Sequence, residues 1–374
     1  MSTSIFAPRA ALPSLARERL VMAGAFAALA VVAFKLLGEH AYGLLGLFAL
    51  ACALGAAFLL TEFGYSSAFR AYLRQGDGAG LAAGILVALV AALVVVPVSA
   101  RVPGYGGFVA PLGLPVVGGA ALFGVGMQLA NGCGSGTLYA AGGGSRRMWV
   151  TLPFFCLGGL LGSLVLPAAM RLPALPAVGL GDRFGPWGGL AATLVLGAAL
   201  IGLVLRRGPR PSVRLLGAAV AIGGLAGGVF LVSGVPWGIT TGLTLWGAKA
   251  ATAIGIDLSH TVFWSWDGPR HDLAGSILHQ DSSLMDLGLI LGATVAATWR
   301  GGFLRQRVPP ARQLLAAALG GLAMGFGARL GFGCNIGGLV GGIASGSLHG
   351  FLWFFAALAG NWLGIRLRPR FGLS

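Results

Sequence analysis

Charge is what this sequence lacks. Only 9% of its 374 residues are Asp, Glu, Lys or Arg, against roughly 25% in ordinary soluble domains. So few charges cannot cover a water-facing globule, which excludes a soluble enzyme. Acidic residues number ten, and none falls in the middle of an apolar run. A carboxylate proton relay of the kind common in pumps is therefore not evident. Cysteine occurs four times, at Cys52, Cys133, Cys156 and Cys334, and never as a CxxC pair. Zinc knuckles, thioredoxin-like chemistry and a disulfide framework are set aside on that ground. No Walker loop is present, so ATP drive within the chain is not expected. The reading carries no cofactor and no metal.

What is present is apolar. Hydrophobic residues make up 56% of the chain, and its 66 glycines sit largely inside long apolar runs, where small residues let helices approach closely. The formal charge of +15 would suggest nucleic acid in a soluble protein. Here the basic residues recur in short clusters between apolar runs, which is a membrane topology signal. The surroundings are a lipid bilayer, and nucleic acid is not a partner.

A spanning helix needs about 20 mostly apolar residues. Ten crossings are predicted, near 20–38, 42–61, 79–98, 115–131, 148–167, 188–206, 214–233, 283–299, 313–330 and 348–366. The first follows Arg9, Arg17 and Arg19, as a signal peptide's apolar stretch would, but lacks a convincing cleavage site and is read as an extra N-terminal helix. Four shorter glycine-rich pieces, 62–74, 132–145, 236–253 and 331–346, are too short or too interrupted to span. Such backbone is tolerated at membrane depth only inside protein or beside water, so they are read as re-entrant half-helices. With the N-terminus placed in the cytoplasm, eighteen of the 25 basic residues fall on that side, Arg9 and Arg207 among them. Five fall opposite. That asymmetry favours ten crossings with both termini inside a cell inner or plasma membrane.

The chain also repeats. GVGMQLANGCGSG (124–136) aligns without gaps to GFGARLGFGCNIG (325–337), and FGYSS (63–67) echoes WGITT (237–241) in the same order. The single domain then divides into a first repeat (42–167), a connecting helix (188–206) and a second repeat (214–366). One connecting crossing inverts the second copy. Inverted repeats with broken helices place a transport site at the midplane between them.

The candidate site follows from that symmetry. Gly132–Cys133 and Gly333–Cys334 would open two half-helices, whose free N–H groups favour anions. The two thiols are read as weak hydrogen-bond donors to a passing anion. Ser66, Ser67, Thr240 and Thr241 are candidate hydroxyl donors on the other two half-helices. Gln128 and Asn335 are polar neighbours of the cysteine turns. Arg329 and Lys249 are basic residues that either attract the anion or hold helix ends. Cys52 and Cys156 read as plain core. The anion would enter over the 331–346 segment and leave through a mouth formed by 62–74 and 132–145. The polar stretch 254–282 reads as an interfacial loop or helix with Trp264 and Trp266 at headgroup level, in preference to a metal site.

These residues resemble a known family. GVGMQLANGCGSGTLY, GFGARLGFGCNIG and EFGYSSAFR (62–70) look like the signatures of the YeeE/YedE sulfur-transport membrane proteins, with similarity running from about residue 42 to 366. The resemblance implies an all-α, hourglass-shaped fold of two inverted repeats with four re-entrant half-helices. It also implies uptake of a small sulfur oxyanion, thiosulfate first, with Cys133 and Cys334 matching two central family cysteines. A third family cysteine often follows the phenylalanine of the first motif; here Gly64 follows Phe63. Two other classes stand beside transport. One is a membrane sulfurtransferase taking sulfur onto a cysteine; the other is a docking protein for a TusA-like or rhodanese-like sulfur carrier.

Overall fold

The computed structural model describes residues 15–206 and 208–373; Arg9 and Arg207 of the topology count lie outside them. The chain begins with α1 (Leu15–Gly38), α2 (Tyr42–Thr61), the short α3 (Tyr65–Gln75) and α4 (Ala79–Ser99). Next come α5 (Leu114–Ala130), the short α6 (Gly134–Gly142), α7 (Arg146–Ala169) and α8 (Leu180–Leu205). The remainder holds α9 (Val213–Ser233), α10 (Thr240–Ala253), the brief α11 (Val262–Ser265) and α12 (Asp267–Ala274), α13 (Asp281–Trp299) and α14 (Ala311–Leu330). A π-helical turn, Asn335–Gly341, runs into α15 (Gly342–Ala344), and α16 (Leu348–Leu367) follows. Among the described residues, ten helices are long and apolar enough to cross a membrane. They coincide with the ten predicted crossings, and the protein is a multi-pass membrane protein.

Three details differ from the sequence expectation. Helix α8 begins at Leu180, before the expected 188, because Gly185 at φ 71° joins a first turn to the main helix ahead of Pro186. A two-residue antiparallel pair, β1 (Leu112–Gly113) with β2 (Ala174–Leu175), ties two loops together. Trp264 is turned into the protein and does not face lipid or water. It is 3% exposed, because α11 folds back on α7 and the indole Nε1 donates to Ser163 Oγ at 3.1 Å. Trp266 is exposed.

Close helix approach explains the glycine content. A Cβ at Gly292 of α13 would strike the α2 backbone at Cys52, and one at Gly55 of α2 would strike Leu289. Without a hydrophobic force between helices in lipid, such backbone-level packing is what holds a bundle together. The contacts pair up across the chain. Helix α7 packs on α14 as α16 packs on α5, and α2 packs on α13 as α9 packs on α4. In the middle, α2 meets α9 and α5 meets α14. Gly46 approaches Val232 and Gly228 approaches Leu50, so α2 and α9 run antiparallel and their C-terminal ends lie at opposite ends of the bundle.

Each junction from a long helix to a short one uses a left-handed residue. Glu62 (φ 53°) ends α2, Asn131 (φ 62°) ends α5 and Gly234 (φ 76°) ends α9; beyond α14, Phe332 has φ 54°. Left-handed caps satisfy the last carbonyls of a helix while turning the chain sharply.

Candidate functional site

The turns bring the starts of the four short segments into one core cluster. Phe63 and Tyr65 come from α3, Cys133 from α6, Trp237 and Ile239 from the entry to α10, and Cys334 and Ile336 from the π-helical turn. Both predicted thiols are N-cap residues in extended backbone. Cys133 Sγ accepts from Gly136 N at 3.3 Å and lies 3.4 Å from Ser135 Oγ. Cys334 Sγ accepts from Ile336 N at 3.4 Å. A sulfur accepting a backbone N–H keeps its own S–H free to donate, weakly, to something else. The two caps also meet: a Cβ at Gly134, next to Cys133, would lie 3.0 Å from Cys334 Sγ.

Two cavities approach this centre. The larger, about 850 Å³, is lined by Ser66, Ser67, Gly132, Cys133 and Tyr139, with Arg70, Arg74 and Arg147 around it. The smaller, about 360 Å³, is lined by Trp237, Thr241, Ser282 and Met285, with Asp272 and Asp281 at its wall. The larger cavity lies beyond the C-terminal end of α2 at Glu62, and the smaller beyond that of α9 at Ser233. Since α2 and α9 are antiparallel, they open at opposite ends. Aromatic rings separate them: Trp237 packs on Phe58 at 5.8 Å between centroids, and Phe58 stacks on Tyr139 at 5.6 Å.

The expected mouths are placed as follows. Residues of 62–74 and 132–145 line the larger cavity. The opposite cavity is lined by residues from Val229 to Thr241 and from Asp272 to Met285, and no residue of 331–346 takes part. The π-helical turn is sealed instead, packed against α4 and α16, and a Cβ at Gly341 would touch Pro236 and Trp237.

Other predicted residues fall into distinct surroundings. Ser66 Oγ donates to Met127 O at 3.1 Å, and Ser67 Oγ donates to Gly64 O at 3.0 Å. Thr240 is buried at the start of α10, and its carbonyl accepts from Thr244 Oγ1 at 2.7 Å. Gln128 borders neither cavity. Its Nε2 donates to Ser66 O (3.0 Å) and to Asn361 Oδ1 (2.7 Å), and its Oε1 accepts from Arg70 Nη1 at 3.4 Å. It thus clasps α3, α5 and α16 together. Gly333 has φ 139°, and its carbonyl accepts from Trp353 Nε1 at 3.1 Å. Asn335 is fully buried with neither amide atom hydrogen-bonded, which leaves both for a ligand or water. Lys249 Nζ is committed to the carbonyls of Leu273 (2.8 Å) and Gly275 (2.7 Å). The Arg329 guanidinium lies over Phe263, 4.5 Å from the ring centroid. Lys249 thus ties a helix end, whereas the Arg329 Nε is buried without a hydrogen-bond partner.

Sequence reasoning missed four groups. Arg70 follows Ser66 by one helical turn, and that i, i+4 spacing could have placed it on the hydroxyl face. Its guanidinium donates to Asn131 Oδ1 at 2.8 Å. Tyr139 stands one and a half turns after Cys133 and lines the larger cavity. Trp237 has a buried Nε1 without a partner. Asp286 was passed over because it lies near the start of its crossing. It is fully buried, since α10 covers that part of α13. At the smaller cavity, Asp272 is held above the usual carboxylate range by burial, against the opposing pull of His271 and Lys249.

Comparison with known proteins fits this geometry. Residues 60–363 match the sulphur transport family. The chain belongs to that family. Among its relatives, the "thiosulfate transporter TsuA" of Spirochaeta thermophila is 28% identical over 271 residues, 66% of this chain and 75% of that one. The Escherichia coli protein of the same name is 27% identical over 248 residues, 59% of this chain and 65% of that one. The E. coli "probable transporter YedE" is 34% identical over 150 residues, 40% of this chain. That match spans only 36% of the length of YedE.

Proposed function

We propose that this member of the sulphur transport family carries a small sulfur oxyanion, thiosulfate first, across a cell membrane between its two cavities. The observation that carries the reading is the meeting of the Cys133 and Cys334 caps, with Phe63 and Trp237 from the other two short-segment starts both packed on Phe58 beside Tyr139. Helix N-termini hold anions through their free N–H groups and dipole, and the two thiols add donors that do not require a compensating charge. In this reading the short segments are re-entrant half-helices of two inverted repeats, and the cavities are the ends of an hourglass. The paired contacts and the antiparallel α2 and α9 support it, as do the names of the two thiosulfate-transporting relatives. The side bearing Arg70, Arg74 and Arg147 is the cytoplasmic one, with both chain termini, in the inner membrane. Its positive field draws the anion inward. The conformation described is open to that side and closed by Trp237, Phe58 and Tyr139 toward the other. A TusA-like or rhodanese-like sulfur carrier would receive the product at the arginine-bearing mouth.

The test is uptake of sulfur-labelled thiosulfate by proteoliposomes holding the purified chain, beside the Cys133→Ala/Cys334→Ala double variant. Uptake by the native chain and its loss in the double variant are expected. Equal uptake by both would remove the thiols from the path, and no uptake by the native chain would remove thiosulfate as the substrate.

A further inference from the structure

The least explained group in the bundle is the carboxyl of Asp286. It is 0% exposed, and neither of its oxygens has a hydrogen-bond partner among the described residues. It lies against the first turn of α10, where a Cβ at Gly242 would stand 2.6 Å from Oδ2. Its neighbours in sequence and space lead to the smaller cavity: Met285 and Thr241, adjacent to Asp286 and Gly242 respectively, line that cavity, as does Ser282. One turn further along α10, Gly247 packs on the backbone carbonyl of Cys156. The carboxyl thus sits under α10, directly behind the wall of the smaller cavity.

Among the described residues, no basic group pairs with it. Helix α10 offers Lys249, whose ammonium is bound to the carbonyls of Leu273 and Gly275. Helix α1 offers Lys35 near its end and is tied at Glu39 to His279, 2.8 Å away. Helix α2 brings Cys52 against Gly292, and α6 carries Tyr139, stacked on Phe58. Arg305, in the 3-10 turn Phe303–Arg305, belongs to the segment beyond the opposite end of α13. Asp272 and Asp281 stand at the cavity wall. An ionised carboxylate buried without a partner is costly, and ionisable groups kept inside membrane proteins mark ion or proton pathways. A hard metal cation would need about six oxygen ligands, and no cluster of three His, Cys, Asp or Glu exists among the described residues. A proton needs one oxygen.

We propose that Asp286 is a proton-binding site that couples inward passage of the anion to inward movement of a proton. This rests on the reading of the chain as an anion importer. Moving the thiosulfate dianion into a cell whose interior is negative runs against the membrane potential, and a proton taken along offsets one of its two negative charges. The proton enters from the cavity of Asp272 and Asp281 and protonates the Asp286 carboxylate. It leaves to the arginine-lined side once the anion has passed the thiols and the partition has reopened.

Two measurements on the full chain test it. In proteoliposomes, labelled thiosulfate uptake is followed together with the internal pH, with and without an inwardly directed proton gradient. The native chain should acidify the lumen as it takes up thiosulfate, and its accumulation ratio should rise about tenfold per unit of pH gradient for one proton per anion. Asp286→Asn should retain downhill uptake yet lose both the acidification and the gradient response. Thiosulfate uptake by the native chain without proton movement, or an Asp286→Asn chain that still responds to the gradient, overturns the proposal. The second measurement needs no substrate. At neutral pH the infrared spectrum of the native chain should contain a protonated-carboxyl band that Asp286→Asn lacks. Its absence overturns the proposal whatever the transport result, whereas a native chain that shows the band but takes up no thiosulfate refutes thiosulfate alone.

Discussion

The two cysteine turns align residue for residue, yet the structure treats them differently. Cys133 caps a regular α-helix and accepts from the N–H three residues on; Cys334 caps a π-helical turn and accepts from the N–H two residues on. Cys133 lines the larger cavity, whereas Cys334 is sealed and lines neither. The difference teaches that two turns of matching sequence, both buried, can differ in helix type and in which of them borders a cavity. The π-helical turn, with its widened hydrogen bonding, sets the Cys334 half of the pair apart from the regular helix at Cys133.

The comparison is broken most directly at the sulfur atoms. Replacing either Cys133 or Cys334 with alanine should lower thiosulfate uptake by roughly 10- to 100-fold, the worth of one hydrogen bond to a charged group. Full uptake in either single variant would show that only one turn serves the anion. Backbone strain gives the next effect. Gly333 is left-handed, and a Cβ there would strike Gly338 N; Gly132, its counterpart, has no such φ and faces the flexible end of Met148. Gly333→Ala should destabilise by about 1–3 kcal/mol, and Gly132→Ala by clearly less, as read by thermal unfolding in detergent. Equal losses would erase the distinction.

Accessibility sharpens it. In chains retaining one cysteine, a small thiol reagent applied from the arginine-bearing side should modify Cys133 at least several-fold faster than Cys334, and thiosulfate should slow the faster reaction. Matching rates would mean the partition does not hold. Arg70→Gln should reduce uptake several-fold at low ionic strength and less at high salt, because the field of the mouth is screened; a salt-independent loss would instead assign Arg70 to its Gln128 and Asn131 contacts. The smallest effect is expected at the last aligned glycines. A Cβ at Gly136 would press on Cys133 Sγ at 3.2 Å, whereas one at Gly337 meets nothing within 4 Å. Gly136→Ala should therefore slow uptake modestly, and Gly337→Ala should leave it unchanged.

Much of this architecture was legible in the residues. An apolar run long enough to span has few alternatives in lipid, where each backbone polar group must be satisfied internally, so the ten crossings followed from length and composition. The glycine-cysteine turns were readable because their chemistry is local. A helix that ends in a left-handed residue and restarts within a few positions leaves the next residue at an N-cap, whichever neighbours surround it.

What the residues could not announce depends on which helix lies beside which. Gln128, a candidate ligand group, also ties helices together, because Asn361, more than 200 positions away, arrives within 2.7 Å of it. Asp286 looked peripheral, being near the start of its helix, and is buried because α10 folds over that start. Trp264 had the pattern of an interfacial anchor and lies inside, because Ser163 offers its indole a partner. The two mouths likewise could not be drawn from the repeats alone, since Val229–Thr241 and Asp272–Met285 line the second one in place of the expected 331–346. The sequence by itself determined the spans, the repeated order of long and short helices and the placement of both thiols at helix starts, all properties set within a few turns of chain. Only the tertiary structure decided which polar groups are satisfied, which are stranded and which cavity stands open, because those depend on contacts between segments distant in sequence and brought to backbone distance by glycine.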